Sequence, residues 1–293
     1  MGIYYKVPVS YYYLYLKKNS KEGFEFTKKK LDLYKNWKRQ LVLWALKLRF
    51  LSTKKINSGA DIIFFGNRKK EFYFDKKKVI TFGNCKKDCQ VRKKMNKSFH
   101  CIKNPKYFQE RLEEDLIWPT KAIKEEEIIR IFKKLIEYYK KGISQNSINK
   151  IKYFREKRLP KKNEIMFKDQ KILSSIVHGD FWKGNIEKDK KGVFWIFDWG
   201  QRGMGTIFED FFNYFLIEYF YTKKLNSKLF INILKVFSRE FRLKENEIIN
   251  LINLKTKLNR INRNKSQWLI INRFKNEIKN IFPKSSTFYS HYH

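Results

Sequence analysis

Two short apolar runs, each ending in a polar cluster, limit what this chain can fold into more than any other feature. One is KILSSIVHGD, which ends at Asp180, and the other is GVFWIFDWG, with Asp198 near its end. Short continuous apolar runs bounded by turn residues read as buried strands. Between them HGDFWKGN, His178 to Asn185, holds two glycines and sets Asp180 and Asn185 five residues apart. That composition favours a tight polar loop at a strand end over a helix. Singly, Asp180 and Asn185 are ordinary turn residues, and Asp198 could cap a turn after its strand. Jointly, two strands delivering a carboxylate, an amide and a second carboxylate to one edge make a reasonable Mg2+ site. This ion takes hard oxygen ligands and usually accepts only one or two from protein, with phosphates and waters completing the shell.

The surrounding pattern supplies a layout. The first sixty residues contain LDLYKNWKRQLVLWALKLRFL, apolar at intervals of three and four, as in a helix with one buried face. The runs DIIFFGN from Asp61, EFYFD from Glu71 and KVITFGN from Lys78 are punctuated by Gly-Asn and Asp-Lys and predict a small antiparallel sheet. A basic stretch and then YFQERLEEDLIWP follow, ended by Pro119. From Lys121 to Gly142 the pattern is helical, with Glu125, Glu126 and Glu127 early and lysines late, matching the helix dipole. FEDFFNYFLIEYFY and most of the chain to Phe282 also read as helices. The expectation is an α+β chain, with a small sheet-rich part over 1–118 and a larger, mainly helical part over 119–293.

The spacing H-G-D-x-x-x-x-N followed by D-W resembles the aminoglycoside phosphotransferase and choline kinase family, which shares the two-lobed protein-kinase-like fold. That family often has Gly seven and Asp twelve residues after its D-W aspartate, where this chain has Gly205 and Asp210. The resemblance covers about Ile176 to Phe220 closely and the rest by layout. It implies an ATP- and Mg2+-dependent transfer of the γ-phosphate to a hydroxyl of a small molecule. It also implies roles: Asp180 as the catalytic residue that accepts or orients the acceptor hydroxyl, His178 bracing its loop, Asn185 and Asp198 holding Mg2+. Asp210 would bond loop amides from below. Phosphoryl transfer asks for such in-line positioning and charge neutralisation more than for covalent help.

The same resemblance implies a strand lysine on the nucleotide phosphates, a phosphate-covering loop and an adenine-binding connector. Lys78 is the candidate lysine, with Lys76 and Lys77 competing; the loop is FFGNRKK around Gly66. The connector falls in RLEEDLIWP, where an extended strand would leave backbone groups free from Glu114 to Leu116; an acidic surface strand is the plainer reading. Two departures stand out: the only acid between Lys78 and Glu110 is Asp88, so the usual lysine–glutamate pair is shortened or absent, and Asp198 precedes Trp-Gly instead of Trp-Glu.

Composition excludes several classes. With 17% aromatic residues the chain is not disordered, and 5 Pro and 12 Gly exclude collagen-like sequence. The net charge of +37 rests on 66 basic residues, of which 14 are Arg, and the chain has only three Ala. Lys, Asn, Ile, Phe and Tyr share A/T-rich codons, so coding bias accounts for much of this surplus. No nucleic-acid-binding signature accompanies it, so no specific nucleic acid is expected, while the charge permits peripheral association with an anionic membrane. The rival to an enzyme is an inactive kinase-like basic protein binding nucleic acid or such a membrane. Cys85, Cys89, His100 and Cys101 lack a second well-spaced ligand pair for zinc. The amino terminus lacks an apolar signal-peptide core, and LVLWALKLRFL is cut by Lys47 and Arg49; the expected location is the cytoplasm. Acids are sparse after Glu247, which favours a sugar or an anionic cell-surface precursor over a polycationic acceptor. Oligomeric state is not legible.

Overall fold

The computed structural model describes residues 2–9, 12–32, 37–66, 68–96, 98–101, 103–117, 123–147, 171–199, 202–243, 247–248 and 265–281. It divides into two compact units, Met1–Ile123 with Gly184–Trp199, and Lys124–Lys183 with Gly200–His293. The boundary expected at Trp118 lies outside the described residues. Gly184–Trp199 is grouped with the first unit, a return of the chain that a simple split into 1–118 and 119–293 does not contain.

The first unit runs β1 (Gly2–Val9), β2 (Tyr12–Lys17), α1 (Lys21–Asp32), α2 (Trp37–Lys47), β3 (Thr53–Ile56), β4 (Ile62–Phe65), β5 (Lys69–Tyr73), β6 (Lys78–Phe82), α3 (Lys86–Met95), β7 (Lys106–Phe108) and β8 (Arg111–Asp115). These strands make one antiparallel sheet in the order β3-β1-β2-β4-β5-β6-β8-β7. The three expected strands are its centre, β4 to β6. Helices α1 and α2 bury Phe26, Leu31, Leu43 and Leu46 against Tyr5, Val7, Leu14 and Leu16 of the first two strands. The other side of β1 is also covered, since Tyr4 packs with Ala60 and Ile63 and its hydroxyl donates to the Ala60 carbonyl at 2.7 Å.

Register decides the two faces at the other end of the sheet. Val79 pairs with Glu114 and Thr81 with Leu112, and all four are buried. Helix α3 covers this face: Cys85, just before it, and Cys89 pack on Leu112, and the Arg92 guanidinium grips both carboxylate oxygens of Glu114 at 3.0–3.1 Å. Lys78 lies one residue out of that alternation, opposite Asp115 and on the other face.

In the second unit α4 (Glu125–Lys140) is followed by β9 (Ser144–Ser147) and β10 (Lys171–Val177). The chain then forms the hairpin β11 (Ile186–Lys188) and β12 (Phe194–Ile196) of the first unit. It returns through β13 (Gly203–Thr206), α5 (Glu209–Thr222), α6 (Ser227–Phe241) and α7 (Lys265–Ile281). Strand β10 sits between β13 and β9. Packed phenylalanines fill this unit: Phe132, Phe211, Phe230 and Phe237 are each no more than 1% exposed, with ring centroids 4.9–6.3 Å apart in contacting pairs. Asn226 caps α6 by accepting from the Leu229 amide at 3.1 Å. Among the described residues no helix is long and apolar enough to cross a membrane.

Candidate active site

Strand β10 ends at Val177, and the chain turns sharply through His178 and Gly179. Gly179 has φ +88°, a left-handed conformation that glycine adopts without a Cβ penalty. The turn removes two amides from the strand ladder, and one buried carboxylate collects both. Asp210 Oδ2 accepts from the His178 amide and Oδ1 from the Gly179 amide, each at 2.7 Å. Oδ2 also accepts from the Tyr139 hydroxyl of α4 at 2.5 Å. Asp210 stands in the first turn of α5, where the helix end favours a negative charge.

One turn further along α5, the Asn213 amide donates to the Gly179 carbonyl at 3.0 Å, so residues three apart on one helix face grip both polar groups of the same glycine. Burial pushes the Asp210 carboxyl up, opposed by His178 and its three donors. Burial and the Asp210 charge hold the Tyr139 hydroxyl well above the usual tyrosine range, so it remains a donor.

The far side of the loop is fixed by packing. Phe181 is fully buried and meets Phe132 and His178 edge-on, with Tyr214 alongside. Between this wedge and the clamped glycine sits Asp180, half-buried, its amide donating to His178 Nδ1 at 3.3 Å. His178 itself is fully buried. Next in sequence, Trp182 stacks on Tyr221 of α5, with centroids 6.2 Å apart and planes 21° apart.

In the first unit, Asn185 closes a short 3-10 turn and is 9% exposed; its carbonyl accepts from the Phe197 amide at 2.8 Å. With Ile186 paired to Ile196, this bond places Asn185 and Asp198 at the same end of the β11–β12 hairpin. Asp198 is exposed, with φ +58°, and among the described residues no group pairs with its carboxylate. Its position follows from its neighbour: Trp199 is 1% exposed, tilted against Phe99 at 5.5 Å and donating to the Ile196 carbonyl at 3.0 Å. Left-handed backbone is well suited to an Asp between these two anchors.

As hard oxygen donors on one hairpin end, Asn185 and Asp198 suit a divalent ion that draws its other ligands from phosphate and water. Among the described residues no three His, Cys, Asp or Glu side chains cluster to hold a metal. The three cysteines are free and buried, and burial pushes the Cys101 thiol up to about 12.

The nucleotide candidates fare differently. Lys78 Nζ sits 2.9 Å from Asp115 and 3.3 Å from Glu113, on the face that α3 does not cover. Gly66, just after β4, lies close to an aromatic ring, since a Cβ there would come within 2.6 Å of the Phe64 side chain. Of the backbone expected to be free from Glu114 to Leu116, two amides are bonded. β8 pairs with β6 over residues 111–115 and with β7 over 111–113. The Asp115 amide donates to the Lys103 carbonyl at 2.9 Å and the Leu116 amide to the Lys77 carbonyl at 2.8 Å, while the Glu114 carboxylate is committed to Arg92. Tyr139, Asn213 and Arg92 were not singled out from the sequence. Asn213 was discoverable, three residues after Asp210 on a helix; Tyr139 lies 71 residues from Asp210 and gives no local signal.

Residues 130–229, which include the whole His178–Asn185 loop, Asp198 and Asp210, match the family model described as Fructosamine kinase. The choline kinase of Streptococcus pneumoniae is similar in structure at 12% identity, over 81% of this chain and 96% of that one, with a TM-score of 0.39. An amicoumacin kinase solved with AMP-PNP and Ca2+ matches at 12% identity over 78% and 87%, TM-score 0.44. An ADP-bound aminoglycoside phosphotransferase matches at 13% over 74% and 89%, TM-score 0.40. No curated protein sequence matches the chain. The motif and the family match together make this chain a small-molecule phosphotransferase with an alcohol group as acceptor, similar to fructosamine kinases over the segment that bears the motif.

Proposed function

We propose that the protein transfers the γ-phosphate of ATP, with Mg2+, to a hydroxyl of a small sugar-like acceptor. The observation that carries this reading is the loop that presents Asp180: clamped at Gly179 by Asp210 and Asn213, wedged at Phe181, and half-buried between. A carboxylate held this way can accept the proton of an acceptor hydroxyl without first reorganising its own backbone. His178 is the positioning residue, packed beneath and bonded to the Asp180 amide. Asn185 and Asp198 would hold the metal ion, whose role when bound is to neutralise charge on the transferred phosphate.

A sugar is favoured over a polycation by two features. Acids are sparse after Glu247, whereas the Trp182–Tyr221 stack beside the loop offers a flat apolar face. Fructosamines enter as candidates because the matching family model bears their name. Phosphorus NMR of Mg·ATP reactions with fructosamines, free sugars and amino alcohols is the test. A new phosphomonoester signal with a sugar-type acceptor is expected. Turnover confined to amino alcohols would overturn the acceptor class, and none with any hydroxyl acceptor would overturn the reading.

A further inference from the structure

Helix α2 has two apolar faces, and the fold uses one. Leu43 and Leu46 are buried in the core beneath the helix, while Leu41, Trp44 and Leu48, which follows the last helical residue, are 53%, 57% and 46% exposed. At about 100° per residue these three lie within roughly 60° of one another, opposite the buried pair. Phe50, just beyond the helix, is 73% exposed, and its ring lies 6.1 Å from Trp44. Large apolar side chains gathered on a face that folding does not need mark an interaction surface.

Charge identifies the occupant. From Leu33 to Ala60 the sequence has seven Lys or Arg and no Asp or Glu. Lys47 and Arg49 flank the apolar face, and Lys54 and Lys55 stand exposed on β3, the edge strand of the sheet that follows. A second copy of this chain would set cations against cations with no acid in the segment to answer them. A duplex nucleic acid would use the charge but leave Trp44, Leu48 and Phe50 in water. A surface that is both anionic and apolar beneath uses all of them.

We propose that this face docks on an anionic lipid bilayer, with Trp44 and Phe50 entering the boundary between headgroups and acyl chains and the flanking basic residues meeting lipid phosphates. The eleven residues of α2 are too few to span a bilayer, so the helix lies in the plane of the surface. The proposal is independent of the phosphotransfer reading.

Flotation of the full chain with vesicles tests it, using phosphatidylcholine alone and phosphatidylcholine with roughly 30% phosphatidylglycerol at about 0.15 M salt. Binding is expected to the anionic vesicles only. W44S/F50S should weaken it about tenfold or more, because each ring loses its burial, with the melting temperature unchanged because both rings are exposed in the free protein. Lys54→Glu with Lys55→Glu should weaken it comparably. A fluorophore attached at position 44 in W44C should shift to the blue on anionic vesicles. W44S/F50S binding as tightly as the parent, or a fluorophore that stays in water, would overturn the proposal and leave charge alone as the cause. Loss of a dimer in W44S/F50S, without vesicle binding by the parent, would give the face to a second copy.

Discussion

Asp210 in the second unit and Lys78 in the first are both charged side chains that tie neighbouring segments together, yet their surroundings are opposite. Asp210 is fully buried, and two backbone amides and a buried tyrosine donate to it. Lys78 keeps 28% of its side chain exposed and shares its charge with Asp115 and Glu113 at the edge of solvent. Removing the first leaves donors that nothing else can satisfy, at about 1–3 kcal/mol for each stranded group. Exposed ion pairs contribute about 0–1 kcal/mol. The contrast separates a fixed support from an adjustable contact. The loop bearing Asp180 rests on the fixed one.

The sharpest way to break this comparison is at the supported residue itself. Asp180→Asn should lower kcat by at least about a thousandfold, since it removes the proton acceptor and keeps the shape. Nucleotide affinity and melting temperature should stay near those of the parent, because Asn keeps the shape of Asp and the backbone amide that donates to His178. Equal losses of affinity and rate would remove Asp180 from the catalytic role.

The support comes next. Asp210→Ala should destabilise the protein by about 3 kcal/mol or more, read by chemical denaturation, since two amides and the Tyr139 hydroxyl lose their acceptor together. Tyr139→Phe removes one donor to a carboxylate that keeps two others, and about 1 kcal/mol is expected. The double variant should be no worse than Asp210→Ala alone, because the tyrosine bond is already gone. Additive losses would show that Tyr139 does not act through Asp210.

How much of this was readable follows from where the partners lie. The loop, Asp198, Gly205 and Asp210 sit within one stretch, so their spacing was visible as a pattern. Tyr139 and Arg92 act through tertiary contacts, and neither has a local mark. Strand β1 is hidden from the sequence pattern for a packing reason. Tyr4 and Tyr5 are consecutive, on opposite faces, and both buried, so a strand covered on two sides shows no alternation. The pairing beside the connector is less legible, because β7 is three residues long and follows Pro105. So short an outer strand gives no sequence signal, yet it pairs β8 over residues 111–113.

A contrast within the first unit sharpens the comparison further. Asp198 is exposed and unpaired among the described residues, so its replacement should cost almost no stability. Asp198→Asn keeps a residue at home in left-handed backbone. Calorimetry should show Mg·ATP affinity reduced about ten- to a hundredfold, with Mg2+-free nucleotide binding unaffected, because an amide is a weaker partner for a hard cation than a carboxylate. Unchanged Mg·ATP affinity would take Asp198 out of the metal site.

The smallest effect is expected at Lys78. The Asp115 hydrogen bond, then Glu113, holds its ammonium above the usual lysine range. Burial pushes Asp115 up, but Lys78 and Asn104 outweigh it and hold the carboxyl below the usual range. The signs fix a window. The carboxylate side of the pair is fully stabilising above the ordinary carboxylate range and is lost as pH falls through the depressed value. The ammonium side is lost only as pH rises through the elevated lysine value. Lys78→Ala should therefore cost no more than about 1 kcal/mol near neutrality, and the difference from the parent should close on acidification. Nucleotide affinity should change less than about threefold, because an ammonium already shared by two carboxylates has little to offer a phosphate. A loss of tenfold or more would mean that Lys78 leaves Asp115 and Glu113 when nucleotide binds. The exposed pair would then be a resting place for a phosphate ligand, and the division between fixed support and adjustable contact would become functional.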